Sequence, residues 1–195
     1  MRYPPEQQEK TRLAILAAAT RLFKKKGYTG VSIDAIADAA GLTSGALYSQ
    51  FASKQELFNA VLDAELGAVA KRWAQLRPGG KDALDAVIQT YLSLPHRANA
   101  GGGCPVAGLT VDAARCGKSV RGAYEKHFTG VVEQLREALG RSADAAGREP
   151  LFAFYALLVG GIVLARGVND DNIASEILVA CRKQAAEIAS TLFAT

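Results

Sequence analysis

The sequence predicts an all-α protein of about nine helices, with an N-terminal three-helix helix-turn-helix domain and a larger helical C-terminal domain. Three observations predict it. Apolar residues recur at helical spacing along nearly all of the 195 residues, and strand signals are scarce. Helix-capping residues crowd into Ser32 to Leu57, where two short helices must begin and end close together. A late run, Leu151 to Ala165, is apolar nearly all round, as a helix buried on more than one side would be.

The first helix spans residues 6 to 26, with Leu13, Leu16, Thr20 and Phe23 on one face. Lys24, Lys25 and Lys26 close it, where cations suit the negative end of the dipole. They read as a solvated helix end or as a contact to a nucleic-acid backbone. Gly27 ends the helix. Ser32 caps the second helix, Asp34 suits its first turn, and Val31 and Ile36 make a hydrophobic staple. Gly41 follows the run IADAA and can take the left-handed conformation that ends a helix. Thr43 caps the third helix, with Leu42 and Leu47 as its staple. This helix is only about two turns long, too short to serve mainly for burial. Its outward residues are small or hydrogen-bonding (Ser44, Gly45, Ala46, Tyr48, Ser49 and Gln50), which suits entry into a DNA major groove.

Ser53-x-x-Glu56 is a capping box that opens a long fourth helix, reaching about Arg77. Pro78-Gly79-Gly80 breaks it. Asp82 caps a fifth helix over 83 to 94, with Leu84, Val87, Ile88, Tyr91 and Leu92 on its apolar face, and Pro95 stops it. The stretch HRANAGGGCPVAGL is the long loop-like segment of the second half. Cys104 and Pro105 read as the N-cap and first residue of a sixth helix that ends near Cys116-Gly117. A seventh, from Ser119 to Leu139, carries Val120, Tyr124, Phe128, Val131, Leu135 and Leu139 on one stripe. After a polar linker over 140 to 149, helices at 150 to 167 and 171 to 193 close the chain.

The helix at 150 to 167 must bury two sides, and one chain of this size offers one core. A homodimer is expected, in which this helix and the last form a four-helix bundle with their symmetry mates. Gly160-Gly161 would allow close backbone approach. The alternative is burial within one protomer. The same run is short for a membrane span and is interrupted by that glycine pair.

Charge and cysteine usage narrow the function class. The net charge is +4, and residues 1 to 60 hold eight basic against five acidic residues, while the remainder holds 15 against 14. The basic excess therefore lies with the helix-turn-helix, as phosphate binding requires. The three cysteines, at 104, 116 and 181, form no CxxC and no disulfide framework. With no signal peptide in view, a reducing cytoplasm is expected. Two histidines without grouped carboxylates argue against a metal site, and no cofactor is implied.

Certain residues carry a closer likeness. Phe23-x-x-x-Gly27, then Gly30-Val31-Ser32-Ile33-x-x-Ile36-Ala37-x-x-Ala40-Gly41-Leu42, then Leu47-Tyr48-x-x-Phe51-x-x-Lys54-x-x-Leu57, resemble the TetR family of bacterial repressors. The match covers about residues 10 to 60. The stretch LVGGIVLARGVND also looks like that family's eighth helix. The resemblance implies a dimeric, ligand-responsive transcriptional regulator, usually a repressor, that binds a pseudo-palindromic operator in double-stranded DNA. It divides the chain into a DNA-binding domain, 1–57, and an effector-binding and dimerisation domain, 58–195. It places Tyr48 and Lys54 on phosphates, with Thr43, Ser44, Gly45, Ala46 and Ser49 toward the groove, Ser32 beside them at the second helix's start, and Leu47 and Phe51 packed inward. Chemistry agrees: Tyr48 and Lys54 can donate to phosphate oxygens, Ala46 can touch a thymine methyl, and Gln50 can pair with adenine if it reaches the bases.

The effector end is less legible. Tyr91, His96, Tyr124, His127, Phe128 and Tyr155, with Cys104, Cys116 and Phe152, could line a ligand cavity or make an ordinary core. Cys104 stands apart because it follows three glycines and precedes a helix-starting proline. Unpaired N–H groups there favour a thiolate. Some members of the family with a cysteine in a similar place respond to electrophiles or oxidants, although the following proline is not a fixed family feature. Cys104 and Cys116 would lie about 18 Å apart along a helix and cannot bond to each other. Two other classes compete. One is a constitutive DNA-binding protein with no ligand. The other is an enzyme using Cys104, His96 or His127, and Asp112, which no motif favours.

Overall fold

The computed structural model describes residues 5–75 and 81–193. The predicted break at Pro78-Gly79-Gly80 and the predicted helix end at Arg77 lie outside the described residues. Among the described residues the chain is all helix and turn, with ten helices. They are α1 Pro5–Lys26, α2 Ile33–Ala39, α3 Ser44–Tyr48, α4 Lys54–Ala74, α5 Lys81–Tyr91, α6 Leu94–Ala98, α7 Pro105–Arg115, α8 Lys118–Ala138, α9 Ala145–Gly167 and α10 Asp171–Phe193.

The additional helix is α6, inside the segment read as loop. Ser93 caps it by accepting from the His96 N–H at 3.3 Å, and Pro95 sits within its first turn. The proline therefore starts a helix rather than only stopping one, since its missing N–H would be unpaired there anyway. A second difference lies in α9, which begins five residues before Pro150 rather than at it. Asp144 caps it by accepting from the Gly147 N–H at 2.9 Å, and Ser142 donates to the same carboxylate oxygen at 2.7 Å. That cap outweighs the hydrogen bond the proline cannot make.

On α1 the buried face is Ile15, Ala18, Ala19 and Phe23, while Leu13 is 55% exposed. The inward stripe thus runs beside the one built on Leu13 and Thr20. The ring of Phe23 meets Phe58 edge-on at 5.3 Å, and Tyr28 packs on Phe58 at 4.9 Å, so three aromatic rings join α1 to α4. Lys24 is not a solvated helix end. Its side chain is 5% exposed, and its ammonium donates to Glu65 Oε2 at 2.8 Å and to the Gly103 carbonyl at 3.1 Å. Lys25 and Lys26 are exposed as expected.

Beyond residue 57, α4 lies along α8, and α9 lies along α10. One side of α9 is buried through Leu151, Phe154, Tyr155, Leu158, Ile162 and Ala165. A Cβ on Gly161 would come within 2.8 Å of the Cys181 sulfur, so glycine is required for α9 and α10 to approach. The other side of α9 leaves Phe152, Val163 and Leu164 exposed, and α10 adds Ile173 and Val179. By length and composition α9 is apolar enough to cross a membrane, but its inner face is packed against neighbouring helices.

Candidate nucleic-acid interface and interhelical cavity

The helix-turn-helix is built by its caps. Ser32 Oγ accepts from the Ala35 N–H at 3.0 Å and Thr43 Oγ1 from the Ala46 N–H at 3.2 Å. Gly41 stands at φ +69°, where its N–H reaches the Asp38 carbonyl at 3.0 Å and the Leu42 N–H reaches the Ala37 carbonyl at 2.9 Å. This is the paired closure of a glycine-terminated helix. Ser53 accepts from the Glu56 N–H at 3.0 Å, and Glu56 accepts in return from the Ala52 N–H at 2.8 Å. The return bond falls one residue earlier than a standard capping box would place it.

Leu47 is the buried residue of α3, and Phe51 is buried just after it. Thr43, Gly45, Tyr48 and Ser49 are exposed, with Tyr48 at 54%. Ala46 and Gln50 are half-buried. Two of the hydroxyls are already engaged. Ser44 donates to Asp34 and ties α3 to α2, and Ser49 donates to the Ala46 carbonyl at 2.7 Å. Ser32 is exposed but its oxygen serves the cap. Lys54 opens α4 with its ammonium 4.5 Å from the Tyr28 ring centre. Burial lowers its pKa, against the raising influence of Asp112 and Cys116. Arg12, not singled out by sequence reasoning, lies over the Phe51 ring at 4.3 Å and donates to the Gln50 carbonyl at 3.2 Å. Its signal was the cation–aromatic pairing, invisible without the fold.

A cavity of about 950 Å³ opens between α4, α5, α7 and α9. Its walls include Tyr91, His96, Cys104 and Tyr155 from the predicted set. Tyr124, His127 and Phe128 are not among its lining residues. Tyr124 bonds Thr110 at 2.7 Å and stacks on Phe128, whose ring packs against Phe152 and Tyr155. His127 faces Asp63 at 3.4 Å. No residue of α8 lines the cavity, which the stripe alone could not reveal. Sequence reasoning missed Arg72, Trp73, Lys24 and Glu65, which also line it. They sit on helices whose periodicity reads as ordinary core or surface.

At the mouth, His96 holds the glycine loop. Its Nδ1 lies 2.6 Å from the Tyr91 carbonyl, and its Nε2 accepts from the Cys104 N–H at 3.1 Å. The arrangement requires a neutral ring with the proton on Nδ1, and burial lowers the His96 pKa in agreement, aided by Arg166. Cys104 stands at the N-cap of α7 without a side-chain cap bond, and Pro105 follows as first residue. The Tyr91 phenol, pushed far up in pKa by burial and by the nearby Cys104, makes no hydrogen bond of normal geometry with the sulfur. Arg97 donates to the Ala165 and Val168 carbonyls, each at 2.6 Å, and Arg166 returns to the His96 carbonyl at 3.0 Å. These bonds fasten α6 to the end of α9. Asp112 and Cys116 lie at the far end of α7, against Gly27 and Lys54. The triad of thiol, imidazole and Asp112 is therefore not assembled, and the acceptor nitrogen of His96 is already occupied. Among the described residues no group of three His, Cys, Asp or Glu could hold a metal ion.

Residues 15–61 match the family of bacterial regulatory proteins described as the tetR family. The chain is 26% identical over 174 residues to an HTH-type transcriptional regulator from the lacX 3′ region of Lactococcus lactis, covering 84% of this chain and 87% of that one. It is 26% identical over 133 residues to the HTH-type transcriptional repressor NemR of Escherichia coli, covering 66% and 67%. The crystal structure of reduced E. coli NemR superposes with a TM-score of 0.73 at 23% identity, over 90% of this chain and 94% of that one. A TetR regulator from Chloroflexus aurantiacus superposes at 0.74 with 21% identity, over 95% and 96%. The structural likenesses establish the fold, and the sequence relatives are transcriptional regulators.

Proposed function

Starting from a chain that belongs to the TetR family of DNA-binding transcriptional regulators, we propose a homodimeric repressor, located in the cytoplasm, that holds a pseudo-palindromic operator and is released by an effector in its cavity. The proposed division is a DNA-binding domain over 1–57 and an effector and dimerisation domain over 58–195. No enzymatic role is assigned. The observation that carries the DNA reading is the outward face of α3, where Leu47 alone is buried and Tyr48 is exposed. Tyr48 and Lys54 position the domain on phosphates, and Thr43, Gly45 and Ala46 approach the bases. Ser44 and Ser32 contribute by holding the helices in place. The apolar face of α9 and α10 supports pairing of two copies, and paired α3 helices would read half-sites about one DNA turn apart.

Selection of bound duplexes from a random pool tests this reading, which fails if no two-fold symmetric sequence emerges. On the selected duplex, Lys54→Ala is expected to weaken binding to all sequences and to lower the salt slope by about one. An unchanged slope removes Lys54 from the phosphate contacts.

For release, Cys104 in the cavity wall supports a thiol-reactive effector. With iodoacetamide, the Cys104 sulfur would form a bond to carbon, iodide would leave, and the thiol proton would pass to solvent. The bulky adduct would fill the space between Tyr91 and Gly103. Iodoacetamide is expected to release DNA from the wild type but not from Cys104→Ser. Equal release from both would move the effect to Cys116 or Cys181, or to no cysteine. An open cavity of this size speaks against a constitutive binder with a collapsed core.

A further inference from the structure

The cavity holds donors with nothing to donate to. The Trp73 indole N–H and the Tyr155 and Tyr91 hydroxyls are buried without a hydrogen bond of normal geometry, although Trp73 lies close enough to the Tyr155 hydroxyl to act on it, and all three residues line the cavity. Trp73 is 9% exposed and Tyr155 5%. Their rings meet edge-on with centres 6.2 Å apart. An indole N–H can only donate, and unpaired buried polar groups are few in native proteins. A ligand that satisfies this corner must therefore bring an acceptor.

Charge on the walls specifies which acceptor. Arg72 precedes Trp73 on α4, lines the same cavity and acts electrostatically on Tyr155. It makes no ion pair among the described residues. Lys24 and Glu65, at the loop side, neutralise each other. His96 is held neutral by its two bonds. One uncompensated positive charge remains, on the exposed Arg72, which adjoins Trp73 in the chain. The other walls near this corner are apolar, including Val69, Val87 and Leu158.

We propose that the cavity binds a monoanionic carboxylic acid with an apolar body of aromatic size, its carboxylate held by Arg72, Trp73 Nε1–H and the Tyr155 hydroxyl. This deepens, and rests on, the reading of the cavity as the effector site. An ammonium ligand would meet the Arg72 charge and find no free carboxylate. A neutral ligand would gain nothing from the Arg72 charge. Charge-assisted hydrogen bonds to a carboxylate are the strong ones; Trp73 and Tyr155 are buried, while Arg72 is exposed and supplies its charge from the solvent side.

Trp73 is the single tryptophan of the chain, so its emission reports on this corner directly. Titration of the full chain with 3-phenylpropionate is expected to quench it saturably. 3-Phenylpropylamine and 3-phenylpropanol, of the same shape, are expected to bind at least about tenfold more weakly. Tyr155→Phe and Arg72→Gln should each weaken the acid by about tenfold. The proposal is overturned if the acid gives no saturable quenching, if the amine binds as well, or if both variants bind the acid unchanged. Acid that binds but leaves the DNA complex intact would defeat the effector reading and spare the acid site. Release by a thiol reagent without any acid binding would do the reverse.

Discussion

A Leu164→Glu variant is expected to sediment as a monomer and to lose about a hundredfold or more in affinity for the selected duplex. Leu164 is 62% exposed in the protomer, so a carboxylate there can stay in water and the protomer keeps its fold. In the proposed dimer the same position lies on the face formed with Phe152, Val163, Ile173 and Val179. There the carboxylate would be buried beside its symmetry mate, two like charges with no partner. Without the dimer, each helix-turn-helix binds its half-site alone and the effective concentration of the second is lost. Circular dichroism must remain as in the wild type. A variant that still sediments as a dimer would place the contact elsewhere and leave this apolar face without its proposed occupant.

Phe58→Ala is expected to destabilise the protein by about 3–5 kcal/mol, much of the 5–15 kcal/mol that a domain usually has. Phe58 is fully buried and touches both Phe23 and Tyr28. Removing the ring leaves a cavity between α1, the turn after it, and α4, whose backbones are set by caps and cannot close the gap. Urea denaturation at one fixed protomer concentration measures the loss, since dimerisation shifts apparent stability. A loss under about 1 kcal/mol would mean that the surrounding helices collapse onto the void. The variant is also expected to bind the operator poorly, because this ring holds the helix-turn-helix to the start of α4.

The elements with local signals are legible in the sequence. Ser32, Gly41, Thr43 and Ser53 announce helix ends because each makes its cap within three residues of itself. The sixth predicted helix begins at Cys104-Pro105 in the structure because proline suits a first helical position, the cysteine itself making no cap bond. The failures were also local. Pro95 reads as a stop but is part of a first turn, since proline serves either purpose and only Ser93 decides between them. The periodicity places the start of α9 at about 150, but the Asp144 cap starts it five residues earlier, at Ala145.

The candidate site divides in the same way. The outward residues of α3 follow from its shortness and its single buried leucine, both readable in the sequence. The cavity does not. Tyr91, His96, Cys104 and Tyr155 come together, while Tyr124, His127 and Phe128, with equal claim from composition, do not. Arg72 and Trp73 drew no attention because a charged residue and an aromatic one on a long helix are ordinary.

By itself, then, the sequence determined most of the helices, the turn between α2 and α3 and the outward face of α3, because caps, glycines and helical periodicity act over a few residues. Only the tertiary structure decided that Lys24 is buried against Glu65 and Gly103, that His96 holds Cys104, and that Trp73 and Tyr155 share an unfilled corner. These pairings join residues far apart in the chain. They depend on helix rotation and on which side chains meet across a gap, and no local pattern records either.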